Sequence, residues 1–128
     1  MIYLDSSVAL AHLLAEDRAP PKFLWDQPLV SSRLLEYEVW NRLHAGGYTR
    51  SHGDGARALI DRLALIELAP IVLARAIEPF PARLRTLDAL HLASIEFLRG
   101  QGQAVELATY DDRMATAARD LDIPLLAL

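Results

Sequence analysis

The stretch MIYLDSSVAL (residues 1–10) contains the pattern that decides the fold. Its first four residues, Met1–Leu4, are apolar and typical of a short buried strand, and the acid Asp5 follows directly. Ser6 and Ser7 come next, and serine is a residue type that caps the start of a helix. A strand that passes into a helix in so few residues predicts the first unit of an α/β fold.

The same alternation continues along the 128 residues. Apolar runs predict further strands at 29–32, 65–68, 104–108 and 123–126. Apolar residues at helical spacing predict helices at 33–45, 51–63, 71–77, 86–98 and 111–121. Ser51 and Asp54 resemble a capping box, and Pro124 predicts that the last strand lies at a sheet edge. We therefore expect one α/β domain over residues 1–128, a parallel sheet with helices on both faces.

Composition excludes several classes of protein. The chain has no cysteine, which rules out a disulfide scaffold, a thiolate metal site and a Cys nucleophile. Seventeen acids against thirteen bases give a net charge of −4, the wrong sign for binding nucleic acid by bulk attraction. No apolar run approaches the roughly 20 residues of a membrane helix, and no basic segment of a secretory signal precedes Asp5. We expect a cytoplasmic protein without a membrane partner.

Three acids occupy unusual positions. Asp5 and Asp111 follow predicted strands, where open α/β sheets bind ligands, although each could equally be a helix cap. Asp88 lies in the first turn of a helix that is otherwise apolar enough to be buried. A buried carboxylate must be neutralised, paired or bound to a metal ion, and His91, three residues on, is a possible partner.

Two further acids, Glu36 and Glu38, lie on the helix after the second strand. Arg42 is placed to form an ion pair with Glu38, whereas Glu36 has no base four residues on. Four carboxylates within about 5 Å of one another would repel by about 3 kcal/mol per pair. Such a cluster binds protons or a divalent cation, and all-oxygen ligands favour Mg²⁺ or Mn²⁺. A hard cation beside a phosphate is the apparatus of phosphodiester cleavage.

Four segments, taken in order, resemble the PIN-domain ribonucleases: residues 1–8, 31–39, 86–93 and 109–114. The length and the final segment 123–126 are similar to the VapC-like toxins of bacterial toxin–antitoxin pairs. The resemblance spans essentially the whole chain. It implies a three-layer α/β/α sandwich around a short, mostly parallel sheet. It also implies Mg²⁺- or Mn²⁺-dependent endoribonuclease activity that leaves a 5′-phosphate and a 3′-hydroxyl.

The resemblance also assigns residues by position. The acids that bind one or two cations and carry catalysis fall on Asp5, Glu38, Asp88 and Asp111, with Glu38 favoured over Glu36 and with Asp112 left as an alternative to Asp111. Supporting roles fall on Ser6, Thr109 and Asp112, and the candidates for contacts with RNA phosphates are Arg33, Arg42 and Arg113. The implied partners are an RNA substrate, a second copy in a homodimer and a small antitoxin. Tyr37 and Trp40 are candidates for antitoxin contact or for core packing.

The main alternative is a PIN-like module that binds RNA or protein without cleaving it. The presence of all four acids argues against that reading. A phosphohydrolase of the haloacid-dehalogenase type needs a second Asp at position 7, which is Ser here. A receiver domain needs a lysine late in the chain, whereas the only lysine is Lys22.

Overall fold

A computed structural model describes all residues, 1–128. Its sheet has four parallel strands in the order β3-β2-β1-β4, so the first strand lies inside the sheet. The strands are β1 (Ile2–Leu4), β2 (Leu29–Ser32), β3 (Ala64–Ile66) and β4 (Glu106–Ala108). The predicted parallel sheet is confirmed. Because β1 pairs with both β2 and β4, the segments that follow these three strands meet at one edge of the sheet.

Six α-helices cover the two faces of the sheet: α1 (Ser6–Leu13), α2 (Arg33–Gly46), α3 (Thr49–Asp61), α4 (Pro70–Ala76), α5 (Thr86–Gly100) and α6 (Asp112–Asp120). A short 3-10 helix (Lys22–Asp26) precedes β2. Side chains of β1 alternate between the faces. Ile2 and Leu4 pack with residues of α1, α2 and α3, whereas Tyr3 packs with residues of α5 and α6. The three-layer α/β/α sandwich is therefore confirmed.

Two local predictions differ from the structure. Residues 123–126 form no strand: one parallel bridge, Leu107 with Leu125, is all that pairs there, although it lies beside the edge strand as Pro124 predicts. The helix predicted from Ser51 begins at Thr49, because Gly47 ends α2 with φ at 73° and leaves only Tyr48 as a connection. The Ser51 hydroxyl bonds to the Tyr48 carbonyl and the adjacent His52 instead of forming a capping box.

The first helix ends at Leu13, well before the Pro20-Pro21 pair that predicts its end, and the other boundaries move by a few residues at most. β3 ends at Ile66 rather than 68, and β4 begins at Glu106 rather than 104. None of the helices has both the length and the apolar character needed to cross a membrane.

Candidate functional site at the carboxyl edge of the sheet

Asp5 is the buried centre of this edge. It directly follows β1, and only 4% of its surface is exposed. Its Oδ2 accepts hydrogen bonds from the Ser7 hydroxyl at 2.7 Å and from the Thr109 hydroxyl at 2.8 Å. Although Asp5 is the N-cap residue of α1, its side chain caps no backbone N–H of that helix. The capping alternative therefore does not account for Asp5, and its hydrogen bonds tie β1 to the segment after β4.

Thr109 and Ser7 also fix that segment. The Thr109 hydroxyl accepts from the Asp111 amide at 3.0 Å, and the Ser7 hydroxyl accepts from the Tyr110 amide at 2.9 Å. Ser6, the serine that the sequence favoured as a supporting residue, contacts a different acid: its hydroxyl donates to Oε2 of Glu38 at 3.1 Å. The two serines after β1 thus serve two different carboxylates.

Asp88 carries a buried oxygen without any partner. It lies in the first turn of α5, and its Oδ2 forms no hydrogen bond in the protein. Burial raises the pKa of Asp88, and the negative charges of Asp111 and Asp5 raise it further. The expected pairing with His91 is absent, because both ring nitrogens of His91 have other partners. A buried oxygen left unpaired in this way is a position where a cation or a proton is favourable.

Glu38 turns toward this edge, whereas Glu36 turns away. Oε1 of Glu38 lies 2.5 Å from Nε2 of His91, and no ion pair with Arg42 forms. Glu36 instead pairs with Arg33 at 3.5 Å. The orientations of the two side chains therefore favour Glu38 over Glu36 as the acid of this edge, a choice that residue spacing alone leaves open.

Asp111 and its neighbour Asp112 have different surroundings. Asp111 caps α6, with its Oδ1 accepting from the backbone amides of Arg113 and Met114. Asp111 is therefore a helix cap through its Oδ1, as one of the two alternatives predicts. Asp112 is exposed and its side chain forms no hydrogen bond, so nothing in the structure links it to the other acids.

The three candidate arginines have different surroundings. Arg33 pairs with Glu67 at 2.6 Å as well as with Glu36, so its charge is already compensated. Arg42 and Arg113 are exposed and form no ion pair. They are the two candidates whose charge is available to a phosphate. Of the aromatic candidates, Tyr37 is 66% exposed, which excludes a core role, while Trp40 packs against the core.

The donor set suits a hard cation, although the side chains form no ready-made metal cage. No three His, Asp or Glu side chains have the mutual geometry of a metal site. The unpartnered oxygen of Asp88 nevertheless belongs to a carboxyl whose pKa is raised by burial and by the negative charges of Asp111 and Asp5, and every candidate ligand atom is an oxygen. Carboxylate oxygens are the ligands that Mg²⁺ and Mn²⁺ prefer.

Three residues of this edge were missed as site residues in the sequence. Ser7 could have been found, because a hydroxyl two residues after an acid is well placed to bond to it. Tyr3 carries no comparable signal, because its contact with His91 joins positions 88 residues apart. The spacing of His91 predicts Asp88 as its partner, whereas its ring bonds to Tyr3 and Glu38.

Comparisons with known proteins agree with this architecture. A match to the PIN domain family spans residues 2–120. Ribonuclease VapC46 of Mycobacterium tuberculosis H37Rv is 40% identical over 130 residues, covering 98% of this chain and 96% of that protein. Ribonuclease VapC35 of the same strain is 30% identical over 133 residues, covering 99% and 96%. The chain therefore belongs to the PIN domain family, in its VapC-like branch.

A solved structure shares the fold. One chain of a toxin–antitoxin complex from Klebsiella pneumoniae superposes with a TM-score of 0.62, covering 90% of this chain and 91% of that one. The two sequences are 17% identical. The likeness at that identity concerns the fold, and it agrees with the sandwich described above.

Proposed function

We propose that this protein is a divalent-metal-dependent endoribonuclease that hydrolyses RNA phosphodiester bonds. The observation that carries the proposal is the buried Oδ2 of Asp88, which lacks a hydrogen-bond partner and lies under the negative charge of Asp5 and Asp111. An isolated carboxylate oxygen in that environment is unfavourable unless a proton or a cation joins it. The VapC ribonucleases to which the chain is similar support the choice of RNA as substrate.

The proposed ligands for Mg²⁺ or Mn²⁺ are Asp5, Glu38, Asp88 and Asp111, with one or two ions in the site. When bound, the cation polarises water and stabilises negative charge on the phosphate and the leaving oxygen. Hydrolysis with the expected products adds water oxygen to phosphorus and breaks the P–O3′ bond. The 5′-phosphate and the 3′-hydroxyl are the result.

The chain's own side chains prepare this chemistry. Ser7 and Thr109 both donate to Oδ2 of Asp5, which fixes the carboxylate before any ligand arrives. Ser6 does the same for Oε2 of Glu38. Arg42 and Arg113, exposed and free of ion pairs, are the proposed contacts with RNA phosphates, whereas Arg33 is committed to Glu36 and Glu67. A cation bound between the protein and the RNA would allow a protein with a net charge of −4 to bind a polyanion.

We further propose that the protein is the toxin of a toxin–antitoxin pair, inhibited by a small antitoxin, and that it forms a homodimer. The fold neighbour in a toxin–antitoxin complex supports the antitoxin partner. Tyr37 is 66% exposed on α2, next to Glu38 in sequence, and is a proposed antitoxin contact.

The experiment is cleavage of a mixed RNA pool by the purified protein with Mg²⁺, with Mn²⁺ and with EDTA. The Asp5→Asn variant is measured beside it, together with the matched control Asp61→Asn, whose side chain is exposed on α3. Cleavage that needs metal, persists in the control and vanishes in Asp5→Asn is the expected result. Equal cleavage by Asp5→Asn and by the parent would place the site elsewhere. Metal-independent RNA binding without cleavage would favour the non-cleaving module.

A further inference from the structure

Three side chains from three separate elements form a continuous hydrogen-bond network that runs from the protein interior to the partly exposed Glu38. The Tyr3 hydroxyl on β1 lies 2.7 Å from Nδ1 of His91 on α5. Nε2 of the same imidazole lies 2.5 Å from Oε1 of Glu38 on α2. His91 is 1% exposed and its ring meets that of Tyr3 edge-on at an interplanar angle of 83°. None of the proposed roles above uses this network.

The donor and the acceptor of each hydrogen bond in this network can be assigned from the chemistry of the groups. An ionised Glu38 carboxylate can only accept hydrogen bonds, so Nε2 of His91 must carry a hydrogen and donate the hydrogen bond. Tyr3 is buried and its pKa is raised well above the usual value of a phenol, chiefly by burial, so its hydroxyl keeps its proton. That hydroxyl donates to Nδ1 of a neutral imidazole, or accepts from Nδ1 of a charged one. The donation to Glu38 is the same in both cases.

The hydrogen bonds from Tyr3 through His91 fix one oxygen of Glu38, Oε1, from the protein interior. The other oxygen, Oε2, accepts from the hydroxyl of Ser6. His91 follows Asp88 by three residues on α5, so one helical turn provides both an acid of the site and the group that orients a second acid. Since the imidazole is buried against Tyr3 and Glu38, it has no route to touch RNA itself.

We propose that His91 is a positioning residue, which holds the Glu38 carboxylate through its Nε2–H and is itself held in place by the Tyr3 hydroxyl. This inference rests on the proposed function, because it assigns a metal-binding task to Glu38. A hydrogen bond from an imidazole to a ligating carboxylate belongs to the outer layer of a metal site. Removing such bonds typically lowers metal affinity or activity by about 10–100-fold.

A matched pair of variants separates positioning from core filling. In His91→Gln the amide nitrogen takes about the place of Nε2, so the donor to Glu38 remains while the contact with Tyr3 is lost. In His91→Asn the amide takes about the place of Nδ1, so the contact with Tyr3 remains while Glu38 loses its donor. Each variant keeps a polar group and removes one buried hydrogen bond, so we expect comparable losses of thermal stability.

The readouts are Mn²⁺ affinity by titration calorimetry, Tm in EDTA, and RNA cleavage. We expect His91→Asn to bind Mn²⁺ about 10–100-fold more weakly than the wild type, and His91→Gln to remain close to it. Equal Mn²⁺ affinity in the two variants would overturn the inference, since a core-filling His makes no such distinction. If the wild type itself binds no Mn²⁺ and cuts no RNA, the proposed function fails, which is a different result.

A measurement on the wild type covers the case in which a variant does not fold. Nitrogen NMR of the imidazole reports which ring nitrogen of His91 carries a proton. We expect a proton on Nε2 at every pH at which the protein is folded. A neutral His91 protonated only on Nδ1 would exclude donation to Glu38 and overturn the inference.

Discussion

The hydroxyl of Thr109 donates to Oδ2 of Asp5 across 2.8 Å, although 104 residues separate the two in the sequence. The contact is possible because β1 and β4 are neighbouring parallel strands that end together, with Leu4 paired to Ala108. Ser7 adds a second donor to the same oxygen. One carboxylate therefore joins the beginning of the chain to its last quarter, and the geometry of the candidate site depends on the pairing of these two strands.

Replacing Asp88 by Asn is expected to abolish RNA cleavage and to raise the Tm of the metal-free protein. The substitution removes a charge that burial and two neighbouring acids destabilise, and with it a proposed ligand of the cation. Metal ions contribute several kcal/mol to such reactions, so we expect a loss of about 100-fold or more in rate. Cleavage assays with Mg²⁺ and thermal unfolding in EDTA measure the two effects. Wild-type rates in this variant, with Asp61→Asn also unchanged, would remove Asp88 from the site.

The contribution of Asp88 to the stability of the metal-free protein is expected to increase as the pH falls toward the acid range. The pKa of Asp88 is raised in the folded protein, chiefly by burial, so the folded state binds this proton more tightly than the unfolded chain. This increase in the free energy of unfolding begins as the pH falls through the raised pKa of the folded protein. It is complete only below the pKa of Asp88 in the unfolded chain, near 3.8.

Burial lowers the pKa of His91, but the hydrogen bond and the charge of Glu38, together with the charges of Asp5 and Asp88, raise it above its usual value, so His91 contributes in the same direction. Comparing Tm in EDTA between wild type and Asp88→Asn at several pH values measures the contribution of the Asp88 charge, including its effect on His91. The advantage of the Asn variant should narrow as the pH is lowered. An advantage that is constant with pH would contradict the raised pKa of Asp88.

Mn²⁺ or Mg²⁺ is expected to stabilise the wild type against unfolding. A ligand that binds only the folded state at about 100 times its Kd adds about 2.7 kcal/mol to the free energy of unfolding. Unfolding in denaturant with saturating metal, compared with EDTA, gives this increment directly. The increment should be reduced in Glu38→Gln, which keeps the shape of the side chain but removes its charge. An equal increment in both proteins would show that the ion binds elsewhere.

Ser7→Ala is expected to lower both stability and cleavage. The hydroxyl bonds to Asp5 and to the amide of Tyr110, so its loss leaves the Tyr110 amide without a partner and leaves Oδ2 of Asp5 with Thr109 as its one donor. Such losses amount to about 1–3 kcal/mol. Ser51→Ala is the matched control, since that hydroxyl is exposed and bonds only to its immediate neighbours. Denaturant unfolding and cleavage rates give the comparison, and equal effects in the two variants would contradict the role of Ser7.

Arg113→Ala is expected to weaken RNA binding and to make it less sensitive to salt. Each contact with a single-stranded phosphate contributes about 0.7 to the slope of log K against log salt concentration. Filter binding at several NaCl concentrations, with metal replaced by EDTA, measures that slope. Arg57→Ala is the control, because Arg57 is paired with Asp54 and lies over the Trp40 ring. A slope unchanged in Arg113→Ala would exclude a phosphate contact.

The elements of the fold were predictable because each depends on short-range patterns. Apolar periodicity and the Gly47 stop give the helices and strands to within a few residues. The last strand failed because apolar residues alone do not ensure pairing, and here one bridge at Leu125 is all that forms. The sequence also proposes four candidate acids, but it does not give the partners of their side chains. Glu38 bonds to His91, 53 residues away, rather than to the nearby Arg42.

The pairing of β1 with β4 also bears on how this protein is made. During translation β1, Asp5 and the two serines are synthesised long before Thr109 and Asp111, since Asp5 and Thr109 are 104 residues apart. A nascent chain, or a fragment released by premature termination before β4, lacks the hydroxyl that holds Asp5 and one of the four acids. The candidate site can therefore be assembled only after β4 has been synthesised and has paired with β1.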